Sequence, residues 1–393
     1  MRIASERATG LPDYAVHRVG AIKRRLVAEG HDVIDLSVGD ADLAPPAVAV
    51  EALAAAAREP RMSRYGFQAG LLAFREAAAR YMERRFGVRV DPVKEIQPLL
   101  GSKDGLAHLP FAVLDPGDGC VIPEPGYPPY MGGAVLAGAD PVVCPLRPER
   151  NFLVELEDIP ADRLSRVRLV FLNYPNNPTA AIAPRDYLER TVAICRERGI
   201  VLAYDNPYCE ITFDGYRAPS IFEIDGAREV AIEFHSLSKS FGMTGWRIGW
   251  AVARPELISA FVTVKQFIDT GPFLGIQQAA AVTLDASDTL VPQVSELFRV
   301  RRDAGVAALR TAGFDIELPK ATMYLWVPLP PDVPSGPFAE RLLEEEHVAV
   351  LAGSSFGAGG EGFVRIALTV DGPRIEEAVG RISRVLSGVQ QRV

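Results

Sequence analysis

The chain has few cysteines, no long apolar run and no excess of basic charge. Its four cysteines, Cys120, Cys144, Cys195 and Cys209, lie far apart in the 393 residues and form no CxxC pair, so the sequence indicates neither a zinc site nor a disulfide framework. No stretch approaches the ~18 consecutive apolar residues of a membrane span. The first residues lack the apolar segment of a secretion signal. We therefore expect a cytoplasmic protein with no membrane partner and no bound metal.

The charge balance argues against a further class of function. The chain carries 42 basic and 50 acidic residues, for a net charge of −8, whereas a general nucleic-acid binder carries an excess of positive charge. Its hydrophobic content of 48% is ordinary for a globular protein, and its length predicts two or three domains. The expected partners are therefore small molecules.

Strand and helix patterns alternate along the chain up to about residue 288. Strand-like runs occur at 120–122, 167–172, 200–204 and 230–234, and helical segments separate them. This alternation predicts an α/β fold, in which helices cover both faces of a mostly parallel sheet. Farther on, a long charged helix precedes mixed strands and helices, which indicates a smaller α+β domain. We expect an N-terminal segment that contributes to the small domain (1–45), a large α/β domain (46–288) and a C-terminal small domain (289–393).

Lys239 lies in a run of small hydroxyl residues that comes directly after the predicted strand at 230–234. Ser236 and Ser238 precede it, and Arg247 follows eight positions later. Hydroxyl groups and a forked guanidinium are suited to a phosphate dianion, and a lysine buried beside them is able to lose its proton and act as a nucleophile. The pattern fits a lysine that holds an aldehyde cofactor as a Schiff base. Without further context, such a run is more often a surface Ser/Gly loop.

Polar residues also follow two other predicted strands. Asn177 lies in the rigid Asn/Pro turn at 173–179, which holds amide side chains still and suits hydrogen bonding to a ligand oxygen. Asp205 comes after the strand at 200–204, where a buried carboxylate needs a cationic partner or a functional reason. It could keep a pyridine nitrogen protonated, and the phenol of Tyr208 could reach a ring hydroxyl. A polar loop and a turn aspartate are the structural alternatives.

Three further residues have both a functional and a structural interpretation. Ser102 lies just before a helical segment, where free amides and a hydroxyl make an anion site or merely a helix cap. Tyr127 could stack on a flat ring or pack in the core. Arg365 interrupts an apolar strand, and a buried arginine is rare without an anionic partner. A substrate carboxylate and a structural salt bridge both satisfy that need.

Taken in order, these motifs resemble the class I and II aminotransferases of fold type I, which use pyridoxal 5′-phosphate (PLP). The resemblance spans about residues 12–385, and the segments 101–108 and 233–239 are most similar to the LL-diaminopimelate aminotransferase branch. It implies the fold-type I architecture and a homodimer. It also implies transfer of an amino group between an L-amino acid, with LL-diaminopimelate and similar compounds as candidate donors, and a 2-oxo acid such as 2-oxoglutarate.

The resemblance assigns roles to individual residues. Lys239, Asp205 and Tyr208 would be catalytic. The implied cofactor-binding residues are Ser102, Lys103, Tyr127, Asn177, Asp205, Tyr208, Ser236, Ser238, Lys239, Arg247 and Tyr65. Of these, Tyr65 would reach the active site of the partner subunit. The implied substrate-binding residues are Tyr14, Gly39, Asn177 and Arg365.

Three positions depart from the family pattern. Ala41 replaces a common proline, Ala180 stands where glycine usually follows Asn-Pro-Thr, and Met323 stands where an aromatic residue is frequent. Because the cofactor motifs are intact, these changes bear on the substrate more than on the cofactor.

Aminotransfer is the leading interpretation, and two others use the same cofactor motifs. One is PLP-dependent lyase, decarboxylase, oxidase or cyclase chemistry on an amino acid in a biosynthetic pathway. The other is a PLP-sensing regulator. Such regulators usually carry an added DNA-binding module, for which we expect no room before residue 12 or after residue 385.

Overall fold

The computed structural model describes residues 3–12, 15–40 and 42–390. These residues form a large sheet, a smaller sheet and a short pair of strands. The strands are β1 (Ile34–Asp35), β2 (Ile96–Leu99), β3 (Gly119–Glu124), β4 (Asp140–Pro145), β5 (Val167–Leu172), β6 (Val201–Asp205), β7 (Ala231–Ser236), β8 (Gly249–Ala253), β9 (Tyr324–Pro328), β10 (Val348–Ala349), β11 (Leu351–Ala352) and β12 (Phe363–Ala367).

Helices make up most of the remaining regular structure. They are α1 (Glu6–Thr9), α2 (Ala15–Ala28), α3 (Ala47–Ala56), α4 (Leu72–Phe86), α5 (Ser102–Val113), α6 (Pro128–Ala137), α7 (Ala161–Leu164), α8 (Arg185–Arg198), α9 (Ala227–Val230), α10 (Leu237–Ser240), α11 (Pro255–Lys265), α12 (Leu274–Asp285), α13 (Ser287–Thr311), α14 (Ser335–Glu346) and α15 (Gly372–Gln390). Of the helices in the described ranges, none is both long and apolar enough to cross a membrane.

A seven-stranded sheet forms the centre of the large domain, in the order β2-β8-β7-β6-β5-β3-β4. β8 runs antiparallel to both of its neighbours, β2 and β7, and the other strand pairs of this sheet are parallel. The predicted α/β fold with a mostly parallel sheet is therefore confirmed. Helices cover both faces. Apolar side chains of β5 to β7 such as Phe171 and Phe234 pack on one side with α5 and α6, and Leu172 and Leu202 pack on the other with α8. Burial on both faces explains why these strands are nearly continuous apolar runs.

The smaller sheet is antiparallel, in the order β11-β12-β9, and it shares an apolar core with the facing residues of α13 to α15. The N-terminal strand β1 pairs in parallel with β10, and Ile34 and Leu36 lie in the same core. The division of the chain into 1–45, 46–288 and 289–393 remains a prediction, which the β1–β10 pairing supports.

Candidate active site

Polar side chains meet at the carboxyl edge of the large sheet, where β5, β6 and β7 end. In a parallel sheet this edge is the usual place for a ligand. The chain leaves β6 at Asp205 and β7 at Ser236, and α10 follows directly with Lys239 in it. These side chains line one cavity, whose walls are Ser102, Lys103, Tyr127, Asn177, Asp205, Pro207, Tyr208, Ser236, Ser238, Lys239, Thr244 and Arg247.

Asp205 is the one carboxylate that the described residues place in the wall of this cavity, and it is only 3% exposed. Tyr130 donates a hydrogen bond to its Oδ2 at 2.7 Å, whereas its Oδ1 finds no hydrogen-bond partner in the described ranges. Burial raises the pKa of Asp205 to about 7, against the hydrogen bond from Tyr130 and the charge of Lys239, which lower it. The unpaired oxygen is therefore ready for a donor in the cavity.

Lys239 lies in the lining of this cavity, among the other polar side chains. Its Nζ donates a hydrogen bond to the carbonyl oxygen of Gly39, which comes from the N-terminal segment. Gly39 is closely enclosed, because a Cβ at that position would overlap the hydroxyl of Tyr324. Only glycine therefore fits between the lysine and the small domain.

A candidate anion-binding site lies at the start of α5. Ser102 is the first helical residue, so its backbone amide is among those without a partner inside the helix. The hydroxyl of Ser238 lies 3.5 Å from Nη1 of Arg247, and Thr244 lies in the same wall. A Cβ on Gly101 would overlap Nη2 of Arg247, so the glycine lets the guanidinium approach the helix start.

A second cavity opens from the first and shares Tyr127, Asn177, Tyr208, Lys239 and Thr244 with it. The residues that belong to the second cavity alone are Val16, Val38, Gly39, Asp40, Pro128, Tyr324, Leu351, Ser355, Phe356 and Arg365.

Arg365 is the arginine of this second cavity, and it is 4% exposed. Its Nη1 donates to Oδ1 of Asn177 at 2.7 Å, and its Nη2 donates to the carbonyl oxygen of Ser37 at 2.6 Å. The guanidinium lies over the ring of Tyr324, 4.2 Å from its centroid. Both bonded acceptors are neutral, so the structural salt bridge considered for Arg365 is absent among the described residues. The charge is available to a carboxylate.

Two phenols connect the cavities. The hydroxyls of Tyr208 and Tyr324 lie 3.1 Å apart. Burial and the neighbouring Tyr324 raise the pKa of Tyr208 well above its usual value. Burial also raises the pKa of Tyr324, but the charges of Arg365 and Lys239 lower it more, so its net pKa lies below the ordinary value. The two hydroxyls share one hydrogen bond, and the raised pKa of Tyr208 means that this phenol keeps its proton.

The structure brings together most of the residues selected from the sequence. All of the predicted cofactor residues except Tyr65 line the first cavity, and Gly39 and Arg365 line the second. Tyr65 lies outside both and is 73% exposed. Tyr14 and Ala41 lie outside the described residues.

The other two departures from the family pattern have distinct surroundings. Met323 is fully buried in the core of the small domain rather than in a cavity wall. Ala180 has a φ of 61°, in the left-handed region that glycine adopts without strain.

Several residues in or behind the cavity walls were not selected from the sequence, among them Tyr130, Pro207, Thr244 and Tyr324. Pro207 directly precedes Tyr208, and Thr244 lies between Lys239 and Arg247 along the chain. Tyr130 lies three positions after Tyr127, about one helical turn farther. The spacing within the Pro-Gly-Tyr-Pro-Pro-Tyr segment could therefore have indicated that Tyr130 lies near the same site as Tyr127. Tyr324 begins an apolar strand, and nothing in its sequence context distinguishes it from a core residue.

A separate cluster, which includes two residues of α5, satisfies its own charges. Asp104, His108 and Asp269 offer ligand atoms close to one another. However, Nζ of Lys265 lies 2.6 Å from Asp104 and 2.5 Å from Asp269. The buried ammonium already supplies the positive charge that the carboxylates need.

The first cavity fits PLP in three respects. The unpaired Oδ1 of Asp205 matches a protonated pyridine nitrogen, which is a hydrogen-bond donor. The serine hydroxyls, the start of α5 and Arg247 match a phosphate dianion. Lys239 lies between these two ends, where it could hold the aldehyde.

The fold and this site define a PLP-dependent aminotransferase, and the comparisons with known proteins agree. Residues 31–382 match the family described as aminotransferase class I and II. The chain belongs to this family, is an enzyme and uses PLP as its cofactor.

Among curated relatives, the LL-diaminopimelate aminotransferase of Nitratidesulfovibrio vulgaris (strain DP4) is 42% identical over 382 residues, which cover 97% of this chain and 98% of the relative. The enzyme of the same name from Desulforudis audaxviator is also 42% identical and covers 98% of this chain and 99% of its own length. Among solved structures, substrate-bound BacF from Bacillus subtilis has a TM-score of 0.95 at 33% identity, with 98% of each chain covered. A probable N-succinyldiaminopimelate aminotransferase from Thermus thermophilus has a TM-score of 0.89 at 37% identity, and covers 94% of this chain and 100% of its own.

Proposed function

We propose that the protein moves the α-amino group of an L-amino acid to a 2-oxo acid in the two joined cavities, with LL-diaminopimelate as the first donor to test and 2-oxoglutarate as the acceptor. The observation that carries this proposal is Arg365, a buried cation without a carboxylate partner among the described residues, which lines the same cavity as Lys239. The donor is suggested by the curated relatives at 42% identity.

Each group of the first cavity has a part in holding the cofactor. Ser102, Ser236, Ser238 and Arg247 would bind the phosphate, together with the amides at the start of α5. Asp205 would accept a hydrogen bond from the pyridine nitrogen through Oδ1. Asn177 and Tyr208 would contact the ring oxygen, and Tyr127 would lie against the ring. Lys103 would complete the wall beside Ser102.

The second cavity would hold the reacting end of the substrate. Arg365 binds the α-carboxylate in a bidentate manner, and Gly39 lets the substrate lie close to Lys239. When bound, PLP supplies an electron-accepting ring that stabilises negative charge on the substrate α-carbon. The Nζ of Lys239 would take the proton from that carbon and later give it up again, as a general base and acid. Because one carboxylate clamp serves both the amino acid and the oxo acid, both half-reactions use Arg365.

A donor screen tests the proposal. The PLP-loaded protein is incubated with 2-oxoglutarate and a panel of L-amino acids that includes LL-diaminopimelate, and glutamate formation is measured together with ammonia, carbon dioxide and peroxide. We expect glutamate in stoichiometric amount with the consumed donor. Release of ammonia, carbon dioxide or peroxide without glutamate would contradict aminotransfer. Inactivity of LL-diaminopimelate alone would remove only that donor.

We also propose that the active form is a cytoplasmic homodimer in which Tyr65 reaches the partner's site. Tyr65 and Phe67 are 73% and 68% exposed, and their rings lie 5.8 Å apart. The apolar residues Phe267 and Phe273 are also exposed on this chain. Two neighbouring exposed aromatic rings, such as Tyr65 and Phe67, form the kind of apolar surface that a partner would cover.

A further inference from the structure

We propose that Tyr130 is a positioning residue for the reaction: its hydroxyl selects which oxygen of Asp205 faces the cofactor and keeps that carboxylate in its charged form. The contact that carries the proposal is the 2.7 Å hydrogen bond from Tyr130 to Oδ2 of Asp205. The oxygen left over, Oδ1, is buried and has no partner among the described residues. Tyr130 itself is not in the cavity wall, so it would act through Asp205.

Tyr130 is held rigidly enough to fix the carboxylate. It is fully buried and lies in the first turn of α6, two residues after Pro128. Its ring stacks on Phe171 of β5, with centroids 4.7 Å apart and planes 13° from parallel, and it meets Tyr127 edge-on at 5.7 Å. The short segment 127–130 therefore contains both the ring proposed to face the cofactor, that of Tyr127, and the phenol that bonds to Asp205, that of Tyr130.

The other end of Asp205 is fixed independently. Its carbonyl oxygen accepts a hydrogen bond from Nδ2 of Asn173 at 2.7 Å, so the backbone is held by the turn after β5 while the side chain is held by α6. The charged and titratable groups around the carboxylate are Lys239, which favours its ionised form, and the phenols of Tyr130, Tyr208 and Tyr324. Burial works in the opposite direction. Among the described residues, the hydroxyl of Tyr130 is thus the one group that donates a hydrogen bond to the carboxylate of Asp205.

The chemical consequence concerns the pyridine nitrogen. A carboxylate that is charged and correctly turned keeps this nitrogen protonated, and the positive ring accepts electrons better. Without Tyr130, Asp205 would be free to rotate and would be protonated more readily. The ring would then lose positive charge, while substrate binding at Arg365 would stay the same.

Replacement of Tyr130 by phenylalanine tests this role in the PLP-loaded protein. Tyr130→Phe keeps the ring packing and removes only the hydroxyl. We expect kcat to fall about 10- to 100-fold, the range for a lost hydrogen bond to a charged group, with KM changed by less than about threefold. The pH midpoint of the absorbance of the bound cofactor should rise, because a less positive ring holds its remaining proton more tightly. This titration needs no amino donor, so an error in the proposed donor would leave it intact.

Tyr204→Phe is the matched control. Tyr204 is also fully buried, and its hydroxyl donates a hydrogen bond to the carbonyl oxygen of Tyr174 at 2.8 Å. Although Tyr204 precedes Asp205 in the chain, its hydroxyl does not bond to the carboxylate, which accepts from Tyr130. We expect its midpoint and kcat to equal those of the wild type. The proposal is overturned if Tyr130→Phe keeps the wild-type midpoint, whatever its activity, because a purely structural role would then be sufficient. It is also overturned if Tyr204→Phe shifts the midpoint equally.

Discussion

Single atoms without partners are the most informative features at the residue scale. Oδ1 of Asp205 and Nε of Arg365 are both buried and without a hydrogen-bond partner among the described residues. An unsatisfied buried polar group costs about 1–3 kcal/mol of folding free energy. In a cavity wall, such groups therefore indicate that a bound ligand supplies the missing partners, here a pyridine nitrogen for Asp205 and a carboxylate for Arg365.

This cost gives a prediction for Asp205→Asn in the cofactor-free protein. The folded-state pKa of Asp205 is about 7, above its ordinary value of 3.8, so the folded form holds a proton that the unfolded form has lost. The stability from this group is full below about pH 4 and is lost as the pH rises through 7. The side-chain amide of Asp205→Asn does not titrate, so the stability of the variant has no such loss as the pH rises. At pH 8 we expect the variant to be more stable by on the order of 2–4 kcal/mol, measured by urea unfolding.

The exposed Asp332 provides the control, because Asp332→Asn removes one charge outside the site. The advantage of Asp205→Asn should shrink as the pH is lowered toward 4, and the same variant should bind PLP more weakly. A wild type that is as stable as Asp205→Asn at pH 8 would show that the carboxylate is not strained by burial.

At the scale of elements, the sequence predicted β3, β5, β6 and β7 of the large sheet and missed β2, β4 and β8. The apolar runs of β5 and β6 were found within one residue at each end. The missed strands include β2, which contains Gln97 and Pro98, and β4, which has proline near both ends. Both lie at edges of the sheet, where proline is tolerated because one side of the ladder is free. Their assignment depends on tertiary pairing that local composition does not encode.

The turn after β5 gives a prediction of its own. Ala180 has a φ of 61°, and the left-handed conformation costs a residue with a Cβ roughly 1–2 kcal/mol. Glycine removes that strain but loses about 0.4–1 kcal/mol through the entropy of the unfolded chain. We expect Ala180→Gly to raise the free energy of unfolding by about 0.5–1 kcal/mol, measured by denaturant titration of the cofactor-free protein.

A nearby alanine provides the comparison for this turn. Ala183 is buried and does not have a positive φ, so Ala183→Gly should lower the stability. If the two variants change stability in the same direction, the strain at Ala180 is not the cause.

At the scale of the whole molecule, the site joins residues that are far apart in the sequence. The large sheet delivers Asp205 and Lys239, while the small domain delivers Arg365 and Tyr324. The sequence predicted the first group because each residue follows a recognisable strand. The contact of Arg365 with Asn177, and the place of Tyr324 over Gly39, depend on how the two domains pack, which no local pattern specifies.

The proposed homodimer predicts complementation between two inactive variants. Lys239→Ala lacks the amine but retains Tyr65, and Tyr65→Ala retains the amine. If Tyr65 acts in the partner's site, a mixed dimer contains one site with both residues intact. Refolding equal amounts of the two variants together should therefore restore activity and PLP affinity that neither variant has alone. The expected level is about a quarter of the wild-type value, because random pairing makes about half of the dimers mixed and each mixed dimer has one complete site of two. Failure to complement, with mixed dimers present by mass, would place Tyr65 in its own site or outside it.

The most direct test of the whole account asks which amine holds the cofactor. The PLP-loaded protein is reduced with borohydride, digested and analysed by mass spectrometry. Two lysines line the first cavity, Lys103 and Lys239, so the experiment has a built-in competitor. We predict that the pyridoxyl label is found on Lys239, and that Lys239→Ala loses both label and turnover while Lys103→Ala keeps the label. A label on Lys103, or full activity in Lys239→Ala, would contradict the account.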